Sequence, residues 1–90
     1  MAQLFSLGHL RIMSSLLHPA EAVEFIEAAR QQQKPVLGID SFIITETTTE
    51  PQDDHILDLS VGGLPDDTWS EARRFVEERS DSGFMFEIVI

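Results

Sequence analysis

The stretch Pro35-Val-Leu-Gly-Ile-Asp-Ser-Phe-Ile-Ile-Thr-Glu46 is the most strand-like part of this 90-residue chain. Most of its apolar residues are β-branched or aromatic, and they fall on both alternating faces of an extended backbone. This pattern is typical of a strand that is covered on both faces. It predicts a strand in the middle of a sheet, and the other segments are placed by asking what packs on it.

A helix is predicted before this strand. Pro19, after His18, suits the first helical position, since proline has no N–H to leave unsatisfied there. Apolar residues then recur at helical spacing and form one stripe. The stripe consists of Ala22, Phe25, Ile26 and Ala29. We expect the helix to run to about Gln33, because Pro35 disfavours helical geometry in the residue before it.

A hairpin is predicted after the central strand. Thr47–Asp54 is polar and contains Pro51, which predicts a long, exposed loop. His55–Val61 alternates apolar and polar residues, which predicts a second strand antiparallel to the first. Gly62–Pro65 then has the composition of a turn.

A second helix is predicted from about residue 68 to about Ser80. The candidate caps are Asp66, Asp67 and Thr68. Thr68-Trp-Ser-Glu71 also matches a capping box, in which the two polar side chains satisfy opposing backbone amides. The buried stripe of this helix is predicted to be Trp69, Ala72, Phe75 and Val76. Gly83 is available for a left-handed closing turn.

The chain is therefore predicted to be an α+β protein with the order helix, strand, strand, helix, strand. The third strand, Phe84–Ile90, returns beside the first, so the sheet order is 2-1-3 with both helices on one face. Residues 18–90 form this single domain. Residues 1–17 are an N-terminal extension whose pattern fits helix and strand equally, and Met13 is a candidate second initiation site.

Charge and composition restrict the function. Sixteen acidic residues against six basic ones give a formal net charge of −10. This charge opposes direct binding to nucleic acid or to an anionic membrane, and it favours a basic partner. The chain has no cysteine, no apolar run long enough to span a membrane and no signal-peptide pattern. These features fit a cytoplasmic protein.

The acidic residues are concentrated in the middle of the chain. Between Pro35 and Ala72 there are nine acids and no lysine or arginine. A field of one sign steers a basic partner and accelerates its association, although the same acids also serve solubility and helix capping. The predicted partner-binding residues are Asp40, Glu46, Glu50, Asp53, Asp54, Asp58, Asp66 and Asp67.

Catalytic and metal motifs are absent from the sequence. It contains no Gly-x-Ser-x-Gly turn, no phosphate-binding glycine loop and no His-Glu-x-x-His helix. Asp53, Asp54, His55 and Asp58 have the right donor types for a metal. However, His55 and Asp58 are three residues apart, so on one strand they point to opposite faces. We therefore expect neither enzyme activity, nor a cofactor, nor a bound metal, and a small metal-dependent enzyme is the third-ranked alternative.

Four motifs resemble the small immunity proteins of bacterial polymorphic toxin systems. They are Val36–Phe42, Glu50–Ser60, Asp67–Ala72 and Gly83–Val89. A looser likeness, to the immunity protein of the transfer-RNA-cleaving colicin, is carried by the Leu-Gly-Ile-Asp strand and by the glycine-aromatic start of the last strand. The resemblance covers residues 18 to 90. It implies tight inhibitory binding to a cognate toxin domain, such as a basic nuclease, in the producing cell's cytoplasm. The alternative is a general interaction module or a homodimer.

Overall fold

The computed structural model describes residues 13–60 and 66–90. Its elements are α1 (Pro19–Gln31), β1 (Gly38–Ile44), β2 (Thr49–Asp58), α2 (Thr68–Glu78) and β3 (Met85–Val89). The sheet order is β2-β1-β3, and β1 is antiparallel to both neighbours. The predicted α+β fold, its element order and its sheet order are confirmed.

The core lies between the two helices and one face of the sheet. Alternate residues of β1 and β3 are buried, namely Ile39 and Ser41 on β1 and Phe86 and Ile88 on β3. The helices cover these residues with Ala22, Ile26, Ala72, Phe75 and Val76. Both helices therefore pack on the same face of the sheet, as predicted. Each helix has one apolar stripe, and this face supplies the apolar residues that cover both stripes.

The hairpin differs from the prediction. β2 already begins at Thr49, so only residues 45–48 connect it to β1, and most of the segment predicted as a loop is strand. Pro51 is tolerated because β2 is an edge strand, where proline removes no hydrogen bond that the sheet needs. At its other end β2 stops at Asp58, and Val61 and the predicted turn through Pro65 lie outside the described residues.

A wide bulge explains why the acidic segment does not look like a strand in the sequence. Asp40 pairs with Ile56, and Phe42 pairs with Pro51, so the single residue Ser41 faces the four residues 52–55 of β2. Bulged residues lose their partners in the ladder and bend the strand. Here the bulge contains Asp53 and Asp54, and both are exposed.

The last residues of the predicted N-terminal extension lie along the free edge of β3. Leu17 and Phe86 exchange two backbone hydrogen bonds of 2.8 Å. The Ser14 N–H donates to the Ile88 carbonyl at 2.8 Å, and the Ser14 hydroxyl accepts from the Ile88 N–H at 2.8 Å. Residues 13–17 thus satisfy an edge that otherwise invites pairing with another chain. Residues 1–12 lie outside the described part of the chain.

The start of α2 corrects the predicted capping box. Asp67 is the cap, and its carboxylate accepts from the Ser70 N–H at 2.9 Å. Thr68 is instead buried, and its hydroxyl accepts from the Val36 N–H at 2.9 Å, which ties α2 to the chain entering β1. Gly83 has a φ of 77°, so the predicted left-handed turn after α2 is present.

Candidate partner-binding surface

One face of the sheet is covered by neither α1 nor α2, and we call it the open face. Its positions follow from the register, since paired residues on neighbouring strands project to the same side. The open face consists of Asp40, Phe42 and Ile44 on β1, Ile56 and Asp58 on β2, and Met85, Glu87 and Val89 on β3. It combines apolar and acidic side chains.

The apolar part of the open face lies across all three strands. Phe42 and Met85 are a directly opposite pair and are half-buried. Ile56 is 49% exposed and Ile44 is 42% exposed, which is unusual for large β-branched residues of a small protein. Large apolar side chains grouped on one surface and surrounded by polar ones are a feature of protein interfaces.

Two acids lie opposite each other in the middle of this face. Asp40 on β1 pairs with Glu87 on β3, and both residues are half-buried. Within residues 13–60 and 66–90, neither carboxylate forms an ion pair or accepts a hydrogen bond. Like charges in directly opposite positions destabilise a sheet. This pair therefore lowers the stability of the free protein, and a positive charge bound beside it would relieve the repulsion.

Positive charge in the described chain is confined to the helices and the residues that follow them. The basic residues there are Arg30, Lys34, Arg73, Arg74 and Arg79, whereas the three strands contain six acids and no basic residue. The arginines pair with acids of their own layer, at Glu27, Glu71, Glu77 and Glu78. The helices and the residues beside them therefore mix acids with basic residues, whereas the strands carry acids alone.

The structure distributes the predicted partner-binding acids over three regions. Asp40 and Asp58 lie on the open face, where the Asp58 carboxylate accepts from the Ser60 N–H at 3.0 Å and from its hydroxyl at 2.7 Å. Asp53 and Asp54 lie in the exposed bulge of β2. These four acids therefore belong to the sheet layer.

The other four predicted acids lie at the ends of elements. Glu46 is in the β1–β2 connection, and Glu50, near the start of β2, accepts a 3.1 Å hydrogen bond from the Thr48 hydroxyl. Asp66 and Asp67 precede α2. Asp67 caps this helix, and the hydrogen bonds that it accepts from the Ser70 N–H and hydroxyl lower the pKa of its carboxyl. The structure therefore gives Asp67 a local role in the fold.

His55 does not join the acids of the bulge. Its ring lies 4.9 Å from the Phe84 ring, and its Nδ1 accepts from the Arg79 Nε at 3.1 Å. Arg79 also lies 3.9 Å above the Phe75 ring and donates to the Phe75 carbonyl at 3.0 Å. These contacts fix the bulge to the end of α2. Across the described residues, no three histidine, aspartate or glutamate side chains are placed to share a metal ion.

Two of the cavities lined by described residues differ in their charges. The first, about 160 Å³, opens on the open face beside Gly38, Asp40 and Ile56. The second, about 360 Å³, lies between the helices near Arg30 and Arg73. Its arginines face Glu27 and Asp67, so its charges balance, whereas the described residues that line the first cavity include Asp40 and Asp58 and no basic residue. The first cavity therefore adjoins the acidic strands.

The sequence reasoning did not select Glu87 or the apolar residues of the open face. Glu87 lies far from the acidic segment in the chain, and β3 reads as apolar on both sides. The sheet order identifies it. Because β3 lies beside β1, and Glu87 alternates with the buried residues Phe86 and Ile88, its side chain faces away from the helices.

Comparison with known protein families, curated proteins and solved structures found no match to this chain. The resemblance to immunity proteins therefore stays a prediction from the sequence motifs. In the described ranges, neither helix has the length and apolar character needed to cross a membrane.

Proposed function

We propose that this protein is a cytoplasmic immunity protein that binds a cognate bacterial toxin domain and blocks its active cleft with the open face. The observation that carries the proposal is that the sheet face covered by neither helix combines partly exposed apolar residues with two acids that have no ion-pair or hydrogen-bond partner among the described residues. Asp40 and Glu87 supply the charge, and Phe42, Ile56 and Met85 supply the apolar contact.

The proposed partner is a basic domain of the nuclease type. A nuclease carries positive charge around its cleft because it must bind a polyphosphate backbone. A surface with acids and no basic residue is complementary to such a cleft and replaces the substrate there. The mechanism is occlusion, with no reaction at the immunity protein itself.

The two kinds of residue have different kinetic roles in this mechanism. Long-range charge raises the association rate and makes it depend on salt. Desolvated apolar contacts at the centre of an interface hold the complex together and lower its dissociation rate. We therefore expect the acids to act mainly on association, and Phe42, Ile56 and Met85 to act mainly on dissociation.

Self-association through the open face is the less favourable reading. A homodimer formed by this face would bring Asp40 and Glu87 of two copies together, and like charges brought together across an interface cost several kcal/mol. The net charge of −10 adds a general repulsion between copies. A basic partner is therefore a better match for the face than a second copy.

The test is protection of cells. Cells that express a candidate toxin domain, chosen from the genes adjacent to this one, are grown with the wild-type protein, with the double variant Asp40→Asn/Glu87→Gln, or with a matched control. The control Glu24→Gln/Asp81→Asn removes the same charge from exposed positions on α1 and in the turn after α2. We expect the wild-type and control proteins to protect and the open-face variant to protect less. Equal death with and without the wild-type protein would contradict the proposal.

A further inference from the structure

The cavity on the open face lies at the end of the sheet where β1 begins. Its volume is about 160 Å³, and it is lined by Leu37, Gly38, Asp40, Ile56, Asp58 and Val89, among others. A cavity of roughly 150 Å³ is large enough to hold one benzene-sized group. It therefore has the capacity for the end of one side chain of a partner.

Gly38 is the reason that the sheet is concave here. It pairs with Asp58 on one side and Val89 on the other, so a side chain at this position would project from the open face. A Cβ atom at Gly38 would lie 2.8 Å from the Leu57 carbonyl oxygen, closer than real structures allow. Glycine thus permits the close approach of β1 and β2 and leaves a gap between Ile56 and Val89.

The lining has two chemical parts. Leu37, Ile56 and Val89 provide apolar walls, and the carboxylates of Asp40 and Asp58 provide negative charge. The Asp58 carboxylate accepts two hydrogen bonds from Ser60. Asp40, by contrast, has neither an ion pair nor a hydrogen bond to its carboxylate from the described residues. A ligand that fits both parts has an aliphatic stem and a cationic end.

Arginine fits this lining better than lysine. Its guanidinium is planar and weakly hydrated, it packs against apolar surface, and it donates two parallel hydrogen bonds to a carboxylate. The lysine ammonium is strongly hydrated and loses more on entering a partly apolar cavity. Arginine is also enriched among the residues that contribute most to interface affinity, which commonly fill such cavities.

We infer that this cavity receives an arginine side chain of the toxin domain, with its guanidinium on Asp40 and its stem between Ile56 and Val89. This inference rests on the proposed function for the identity of the partner. The recognition itself is a property of the cavity, so it is open to a test with a small probe.

The probe is N-acetyl-arginine amide, titrated into the full-length ¹⁵N-labelled protein and followed by the amide NMR shifts of Gly38, Asp40 and Val89. The uncharged control ligand is N-acetyl-citrulline amide, which keeps the shape of the side chain. We expect the arginine probe to produce saturable shifts at about millimolar concentration, the range of a weak contact of about −4 kcal/mol. We expect the citrulline probe to bind at least tenfold more weakly.

Two variants show whether the probe binds at this cavity. Asp40→Asn keeps the side-chain shape and should weaken the arginine probe at least tenfold, whereas Glu24→Gln, on the exposed side of α1, should leave it unchanged. Equal shifts with both probes, shifts spread over all acidic surfaces, or full binding to Asp40→Asn would each overturn the inference.

The failure of this inference is distinguishable from the failure of the proposed function. If the toxin domain binds the wild-type protein tightly while the arginine probe does not perturb Gly38 and Val89, the cavity assignment is wrong and the immunity function stands. If the probe binds as expected but the toxin domain does not bind, the partner is wrong and the cavity remains an arginine site.

Discussion

Asp40 and Glu87 occupy directly opposite positions on the antiparallel strands β1 and β3, on the face of the sheet that neither helix covers. Opposite residues in such a pair have their Cβ atoms about 4.5–5.5 Å apart, so the two carboxylates repel each other in the free protein. The pair therefore destabilises the free protein, and the same two carboxylates would attract a basic group that binds there.

Neutralising one member of this pair should stabilise the free protein. For Asp40→Asn we expect the free energy of unfolding to rise by roughly 0.2–1 kcal/mol, because the like-charge pair is removed while the shape is kept. Urea denaturation measures the change, and Glu24→Gln corrects for the general effect of lowering the net charge. If the free energy of unfolding of Asp40→Asn is equal to or below that of this control, the two carboxylates do not destabilise the free protein.

Two buried hydroxyls should respond in opposite directions. Ser41 is 1% exposed and its hydroxyl has no hydrogen-bond partner among the residues that the structure describes, so Ser41→Ala should raise the free energy of unfolding by about 1 kcal/mol. Thr68 is 2% exposed and accepts from the Val36 N–H, so Thr68→Val should lower it by about 1–3 kcal/mol. Denaturant midpoints for the two variants, measured at equal m-values, decide this, and destabilisation by both would refute the assignment for Ser41.

The bulge acids should affect the rate of complex formation. Because Asp53 and Asp54 are exposed on a strand that contains no lysine or arginine, Asp53→Lys/Asp54→Lys should associate with the proposed toxin partner more slowly and with a weaker dependence on salt. Stopped-flow association at several salt concentrations measures both effects. Unchanged kinetics would place the bulge outside the interface.

The cap of α2 should make stability depend on pH in the acidic range. Hydrogen bonds from Ser70 lower the pKa of Asp67 in the folded state. The cap therefore contributes its full stability above the ordinary pKa of the unfolded carboxyl, and this contribution is lost as the pH falls through the lowered folded pKa. Asp67→Asn still caps the helix but does not titrate, so its unfolding temperature should fall less on acidification. Parallel acid-induced losses in both proteins would contradict this role.

The sequence predicted the helices and strands in which apolar residues recur at one regular spacing. It did not predict the bulge in β2. The helical stripes and the apolar run of β1 are set by burial, which leaves a regular trace along the chain. Residues 52–55 lie opposite one residue of β1, so their alternation is interrupted, and residues 52–54 look like part of a loop. Pro51 strengthened that error, since its presence in a strand depends on the edge position, which is a property of the sheet and not of the local sequence.

The candidate site was predicted from charge, and the predicted sheet order was not used to add residues of β3 to it. Asp40 and Asp58 were selected because they lie in an acidic segment, and the register brings them to one face. Glu87 and Met85 join that face through a pairing between β1 and β3 that is distant in the chain, and no local pattern reports it. Asp67 was predicted both as a recognition acid and as a candidate cap of α2, and the structure confirms the cap.

The most direct test of the central claim is the association rate between the protein and the purified domain of its proposed toxin partner, measured as a function of salt. For Asp40→Asn/Glu87→Gln at low salt we expect association about tenfold slower or more than for the wild type, with a shallower salt dependence. The charge-matched Glu24→Gln/Asp81→Asn should stay close to the wild type. If the two double variants associate equally fast, the open face is not the surface that recognises the toxin domain.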